Sequence, residues 1–209
     1  IDFVTGISDS RDGCLHLINK YRDRQLADRV FDLAWTHSQV SLRQMNATVS
    51  DARLYEQMAA SIIYANASLR AEAGVLVANR RNQSGLWGQS ISGDLPIVLL
   101  QITDMANIEL VRQLVQAHAY WRQKGLAVDL VIWNEDYAGY RQNLQDLIMG
   151  LIASGTEANL IDRPGGIFVR PAQQLSREDR DLMQAVARII VADTRGSLAE
   201  QVERRRPDT

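Results

Sequence analysis

NRRNQSGLWGQSISGDLPIVLLQI, residues 79–102, joins a helical first half of the chain to an alternating strand–helix second half. Gly85, Gly88 and Gly93 allow close backbone approach around Trp87. Ser90, Ser92 and Asp94 carry short polar groups that bond to nearby backbone and favour turns over regular structure. Pro96 can open a strand but cannot donate to its ladder. The run that follows, Ile97–Ile102, is apolar almost throughout, as in a sheet covered on both faces. The stretch therefore predicts a structured loop feeding a buried strand. Trp87 either plugs a gap between two halves of the chain, with Asp94 capping a turn, or it stacks on a sugar while Asp94 accepts hydroxyl hydrogen bonds.

Ahead of this stretch the apolar residues recur with the helical period. Cys14, Leu15, Leu17, Ile18 and Tyr21 suggest a short helix after the capping types Ser8 and Asp9, and a longer one spans about Gln25 to Met45. A third opens at Ser50–Asp51 with Leu54, Met58, Ile62 and Ile63 on its buried stripe. A fourth carries Leu69, Ala73, Leu76 and Val77. Behind it the period changes. Strands are expected at 97–102, 128–133 and 167–170, separated by helices at Asn107–Lys124 and Tyr140–Ala153. Gly125 stops the first of these helices, and Ser176 with Asp179 resembles a capping box opening a helix that runs to about Ala192. A last short helix covers Ser197–Arg206. The alternation indicates parallel strands with crossover helices. The expected fold is α/β: a helical N-terminal half of about four helices, then a small three-stranded parallel βαβαβ layer with flanking helices. The expected divisions are a remnant strand at 1–8, a helical segment at 9–81 and an α/β domain at 82–209.

The chain has 209 residues, with 46% hydrophobic and 23% charged, ordinary for a globular protein able to bury a core. A net charge of −2 argues against a nucleic-acid partner, whose recognition calls for a concentrated basic surface; Arg204–Arg206 is the one basic cluster. The single cysteine, Cys14, excludes an internal disulfide and reads as a small core residue. No run approaches the roughly 20 apolar residues of a membrane span, so direct membrane insertion is not expected. The chain starts at Ile1 without Met, and its opening strand lacks a partner, which suggests a piece of a longer protein.

Ligands of open parallel sheets sit beyond the carboxyl ends of the strands. Here those ends carry Thr103–Asp104, Asn134–Glu135–Asp136 and Arg170, with Tyr137 and Tyr140 close by. Paired carboxylates among aromatics suit glycoside chemistry, yet the same residue types also serve as helix caps and turn formers. His16, His37 and His118 fall on separate helices without a ligand partner one turn away, so no metal site is expected, and no nucleotide or other cofactor motif is present. The candidate carbohydrate contacts are Trp87, Asp94, Asp104, Asn134, Glu135, Asp136 and Tyr137, with no catalytic residue assigned.

LWGQSISGDLPIVLL resembles the LW-x-x-x-ISGD-x-PI segment of bacterial cyclic β-1,2-glucan synthases. LYEQMAASIIYANASLRA before it and AHAYWRQKGLAVDLVIWNEDYAGY after it extend the resemblance over most of the chain. Those proteins are large membrane glycosyltransferases whose long soluble part is similar to cellobiose-phosphorylase-type glycoside phosphorylases. The resemblance implies an accessory region on the cytoplasmic side of the inner membrane. It would position neighbouring carbohydrate-binding and catalytic domains of the same polypeptide and have β-glucan as a candidate ligand. The one Asp-x-Asp in the sequence, Asp179–Arg180–Asp181, falls in the helix expected after Ser176, so no transferase-type pair is read here. The alternative is a small α/β carbohydrate-active enzyme that uses Asp94, Asp104, Glu135 and Asp136.

Overall fold

A computed structural model describes residues 3–136, 141–155 and 157–203. Contacts divide the chain into two compact units, Ile1–Thr48 and Val49–Thr209. In the first, α1 (Arg11–Tyr21) pairs with α2 (Arg24–Gln44). Ser10 caps α1 by accepting from the Gly13 amide at 3.1 Å, and Asp23 caps α2 by accepting from the Gln25 amide at 2.9 Å. Residues 3–8 join no sheet. Cys14 is half-buried and not a core residue.

The second unit holds α3 (Val49–Tyr64), α4 (Ala73–Ala78), the single turn α5 (Ser84–Trp87) and then β1 (Ile97–Ile102). After β1 come α6 (Ile108–Gln123), β2 (Asp129–Asn134), α7 (Arg141–Ala153), β3 (Ile167–Pro171), α8 (Arg177–Val186), β4 (Ile189–Ala192) and α9 (Leu198–Glu203). The four strands are all parallel, in the order β3-β2-β1-β4. The three expected strands are present, and each pairing among them is parallel as expected. The sheet is nevertheless four-stranded. Residues 189–192, read as the end of a helix, form a strand against β1, with Leu99 opposite Ile190 and Leu100 opposite Val191. Helix α8 stops at Val186, and the β-branched Ile189, Ile190 and Val191 then fill a sheet position buried on both faces.

Side chains alternate across the sheet. On one face Leu99, Val131, Trp133, Phe168 and Ile190 form a core with Leu182 and Met183 of α8 and with Leu86 and Ile91 from the loop before β1. The opposite face takes Val98, Leu100, Ile102, Leu130 and Ile132, all fully buried, where α6 and α7 pack on β2. Where about four helices were expected ahead of β1, five are described: α1 and α2 in the first unit, and α3, α4 and the single turn α5 in the second. α3 lies on α6 and α9, and α4 lies on α8. The α3–α6 contact is specific: Trp121 Nε1 donates to the Tyr55 carbonyl at 2.8 Å, and the Tyr120 hydroxyl to Glu56 at 2.8 Å. Burial, with help from Glu56, pushes the Tyr120 hydroxyl up to about 12.

Local signals set several boundaries as expected. Gly125 takes φ +84 where α6 ends. Ser176 accepts from the Asp179 amide at 3.1 Å while its hydroxyl donates to the Asp179 carboxylate at 2.7 Å, opening α8.

Candidate functional site

In the order β3-β2-β1-β4 the succession of strands reverses between β1 and β4. Such a switch point, at the carboxyl ends of the strands, is where open α/β sheets bind ligands. In this chain it is occupied by a side chain of the protein. Asp193, the residue after β4, is buried and accepts from the Thr103 amide at 2.8 Å, the Thr103 hydroxyl at 2.9 Å, the Asp104 amide at 3.0 Å and Asn107 Nδ2 at 3.2 Å. The carboxylate thus stands where a bound anion would otherwise meet those donors. Sequence reasoning missed Asp193 because it missed β4. The signal was there in IIVAD, residues 189–193, an apolar β-branched run ending in Asp much as LLQITD does at 99–104.

The rim residues singled out from the sequence are mostly engaged in holding the backbone. Asp104 accepts from the Ala106 amide at 2.8 Å and so caps the turn that leads into α6. Asn134 is buried, donates to Gln145 of α7 at 3.3 Å and accepts from the Asp136 amide at 3.1 Å. The Asp136 carbonyl accepts from Gln173 at 3.1 Å. Glu135 is half-buried, its amide bonded to the Ile102 carbonyl at 2.8 Å. Burial raises its carboxyl above the usual range; the Arg180 charge opposes that shift and the Asp193 charge adds to it. Arg170 reaches back to the Gln89 carbonyl at 2.6 Å and to Asp162 at 2.7 Å, tying the loop before β1 to β3. Tyr137 and Tyr140 lie outside the described residues, as does Arg204–Arg206.

Trp87 and Asp94 belong to a different place. Asp94 precedes β1 and Asp104 follows it, so the six residues of the strand separate them. At about 3.3 Å per residue that is on the order of 17 Å or more, too far for both to touch one sugar ring. Asp94 accepts from Gln83 Nε2 at 3.0 Å, not from the backbone amides of the glycine turn. It borders an open recess of about 460 Å³ at the amino ends of the strands. Trp87 is not the plug of one expectation: it is 63% exposed, its indole N–H donating to the Ser92 carbonyl at 3.3 Å. The neighbouring Leu86, 2% exposed, fills the core instead. Gly93 holds the loop at φ +77, where an added Cβ would lie 2.9 Å from Leu86 Cδ1.

Another ionic cluster was invisible in the sequence. His118 on α6, fully buried, has Nδ1 2.6 Å from Glu157 Oε2 and Nε2 3.0 Å from the Val128 carbonyl. Arg122 reaches the other Glu157 oxygen at 2.5 Å. Burial works against the Glu157 charge, but the His118 and Arg122 hydrogen bonds and charges outweigh it and hold the carboxyl below its usual range. The cluster joins α6 to the segment before β3 and is structural. Among the described residues no group of three or more His, Cys, Asp or Glu side chains could hold a metal ion.

Over 210 aligned residues the sequence is 30% identical to the cyclic β-(1,2)-glucan synthase NdvB of Rhizobium meliloti (strain 1021), covering 97% of this chain. The chain is related to a segment of a cyclic β-(1,2)-glucan synthase. It spans 7% of the length of NdvB. No protein-family model matches it. Among the described residues no helix is long and apolar enough to cross a membrane.

Proposed function

We propose that this chain is a non-catalytic domain of a bacterial cyclic β-(1,2)-glucan synthase, on the cytoplasmic side of the inner membrane. In this reading it positions neighbouring carbohydrate-binding and catalytic domains and touches the glucan. The observation that carries the reading is the similarity to one segment of NdvB along 97% of the chain. The geometry of the strand ends supports a structural role for them. Asp193 fills the switch point, Asp104 caps a turn, and Asn134 braces α7. Catalytic carboxylates need a free face toward the glycosidic bond, at a separation set by the stereochemistry. The test is the full-length synthase carrying Asp104→Asn and Glu135→Gln. Glucan synthesis from a nucleotide sugar is expected to stay within about twofold of the parent, whereas deletion of residues 49–203 abolishes it. A loss of synthesis from Glu135→Gln in a stably folded protein sinks the reading.

The second reading, a small carbohydrate-active enzyme, is favoured by one observation. Glu135 is half-buried with a raised carboxyl beside Arg180 and Asp193, the setting of a general acid. It requires the isolated chain to turn over a β-glucoside or a nucleotide sugar, and Glu135→Gln to abolish that turnover.

A further inference from the structure

A polar recess of about 450 Å³ opens on the α8 face of the sheet, toward the carboxyl ends of β1 and β4. One wall carries Ser68, Arg70 and Glu72, from the segment between α3 and α4. The other carries Gln101 of β1, Gln184 of α8 and Arg195 from the turn after β4. None of these six is among the carbohydrate contacts expected from the sequence.

Gln101 is the unusual member. The other five residues of β1 are fully buried and apolar, and its partners in register are Trp133 and Ala192. Its half-buried amide lines the recess with its donor and acceptor open to water or to a ligand. No described residue bonds to the side-chain amide of Gln101 or of Gln184, or to the Arg195 guanidinium. Glu72 occupies the N-cap position of α4 but makes no side-chain cap bond, which leaves its carboxylate available to the recess. Arg70 is held in place by a 2.9 Å bond from Nη2 to the Ala185 carbonyl.

We infer that this recess binds a glucosyl unit of a β-(1,2)-glucan, an assignment that rests on the proposed function for the identity of the sugar. The two amides each offer a donor and an acceptor, the guanidinium groups add donors, and Glu72 adds an acceptor. That mixture matches hydroxyls, which donate and accept at once. A phosphate or carboxylate ligand would be drawn by the two guanidinium groups, but it would meet the Glu72 charge and offer the two amides acceptors only. Val75 and Ile190 supply apolar surface for the C–H face of a ring. The volume falls in the range of small-molecule sites, roughly 300–1,000 Å³. In a β-(1,2) chain both linkages lie on one edge of each ring, so the opposite edge can enter a recess while the chain stays outside.

The experiment is calorimetric and NMR titration of the 209-residue chain with cyclic β-(1,2)-glucan, with inorganic phosphate as the control. Saturable binding is expected, weakened at least tenfold by Gln101→Leu with Gln184→Leu at an unchanged melting temperature. If that double variant melts early, Arg195→Ala, at an exposed side chain, decides alone and is expected to weaken binding at least threefold. Absence of saturable glucan binding, affinity that survives these substitutions, or the same resonance shifts from phosphate and none from glucan overturns the inference. Loss of synthesis in the full-length synthase on Glu135→Gln, with binding here intact, would instead strike only the non-catalytic reading.

Discussion

Leu86 and Trp87 are adjacent and have opposite fates. Trp87 has far more apolar surface, yet Leu86 enters the core with Ile91, Leu99 and Leu182 while the indole stays 63% exposed. Truncating a buried Leu costs about 2–5 kcal/mol, through lost transfer energy and the cavity left behind. Leu86→Ala is therefore expected to lower stability by that amount in chemical denaturation, and Trp87→Ala by less than about 1 kcal/mol. Equal losses would mean that the indole packs in solution. A second residue-scale prediction concerns Glu157. Its carboxyl lies lower in the folded chain than its ordinary value of 4.5. Its contribution to stability is thus present above that ordinary value and is lost as pH falls through the folded one. Urea unfolding between pH 3 and 7 should show a falling acid limb that Glu157→Gln flattens. At neutral pH the same substitution removes the carboxylate that accepts from buried His118 and from half-exposed Arg122, a loss of about 1–3 kcal/mol. An acid limb unchanged by Glu157→Gln would place the titration elsewhere.

At the scale of elements, the boundary between α8 and β4 decides what the sheet can do. Ala187–Ala192 continues the apolar pattern of α8 closely enough to read as helix, and pairing with β1 makes its second half a strand. With β4 in place Asp193 reaches the amides after β1. Asp193→Ala leaves the Thr103 and Asp104 amides without their acceptor, a loss of about 1–3 kcal/mol. The expected readout is a lower melting temperature with faster amide exchange at Thr103 and Asp104, and Asp193→Asn should fall between variant and parent. The turn into β3 is equally constrained. A Cβ on Gly166 would sit 1.9 Å from the Leu160 carbonyl oxygen and 2.8 Å from that of Arg163. Both are backbone atoms that cannot swing aside, so Gly166→Ala should destabilise by about 1–3 kcal/mol or more. A melting curve like the parent's would show that the turn has room.

For the whole molecule, the core lies in the second unit. Leu42 is the one fully buried apolar side chain among the described residues of the first unit, whereas both faces of the sheet are sealed in the second. Residues 49–203 expressed alone are expected to unfold in one cooperative transition. Within them the amides of β1 and β2 should exchange most slowly, because these central strands are paired on both sides. A broad, non-cooperative melt would show that the second unit does not stand by itself.

The α/β class, the parallel pairing, the place of β1 and the relation to a glucan synthase segment were legible before any fold was known, since each rests on local pattern. Ile97–Ile102 is too apolar for an exposed strand, Gly125 stops a helix wherever it sits, and LWGQSISGD is read without knowing its neighbours. Four features came from the folded chain alone: Leu86 rather than Trp87 is buried, 189–192 is a strand, Asp94 and Asp104 stand at opposite ends of the sheet, and Gln101, Gln184 and Arg195 line one recess. The reason is separation along the chain. His118 and Glu157 are 39 residues apart, and Thr103 and Asp193 are 90 apart. Periodicity reports which face a side chain takes within its own element, whereas these pairings depend on the order in which the strands assemble.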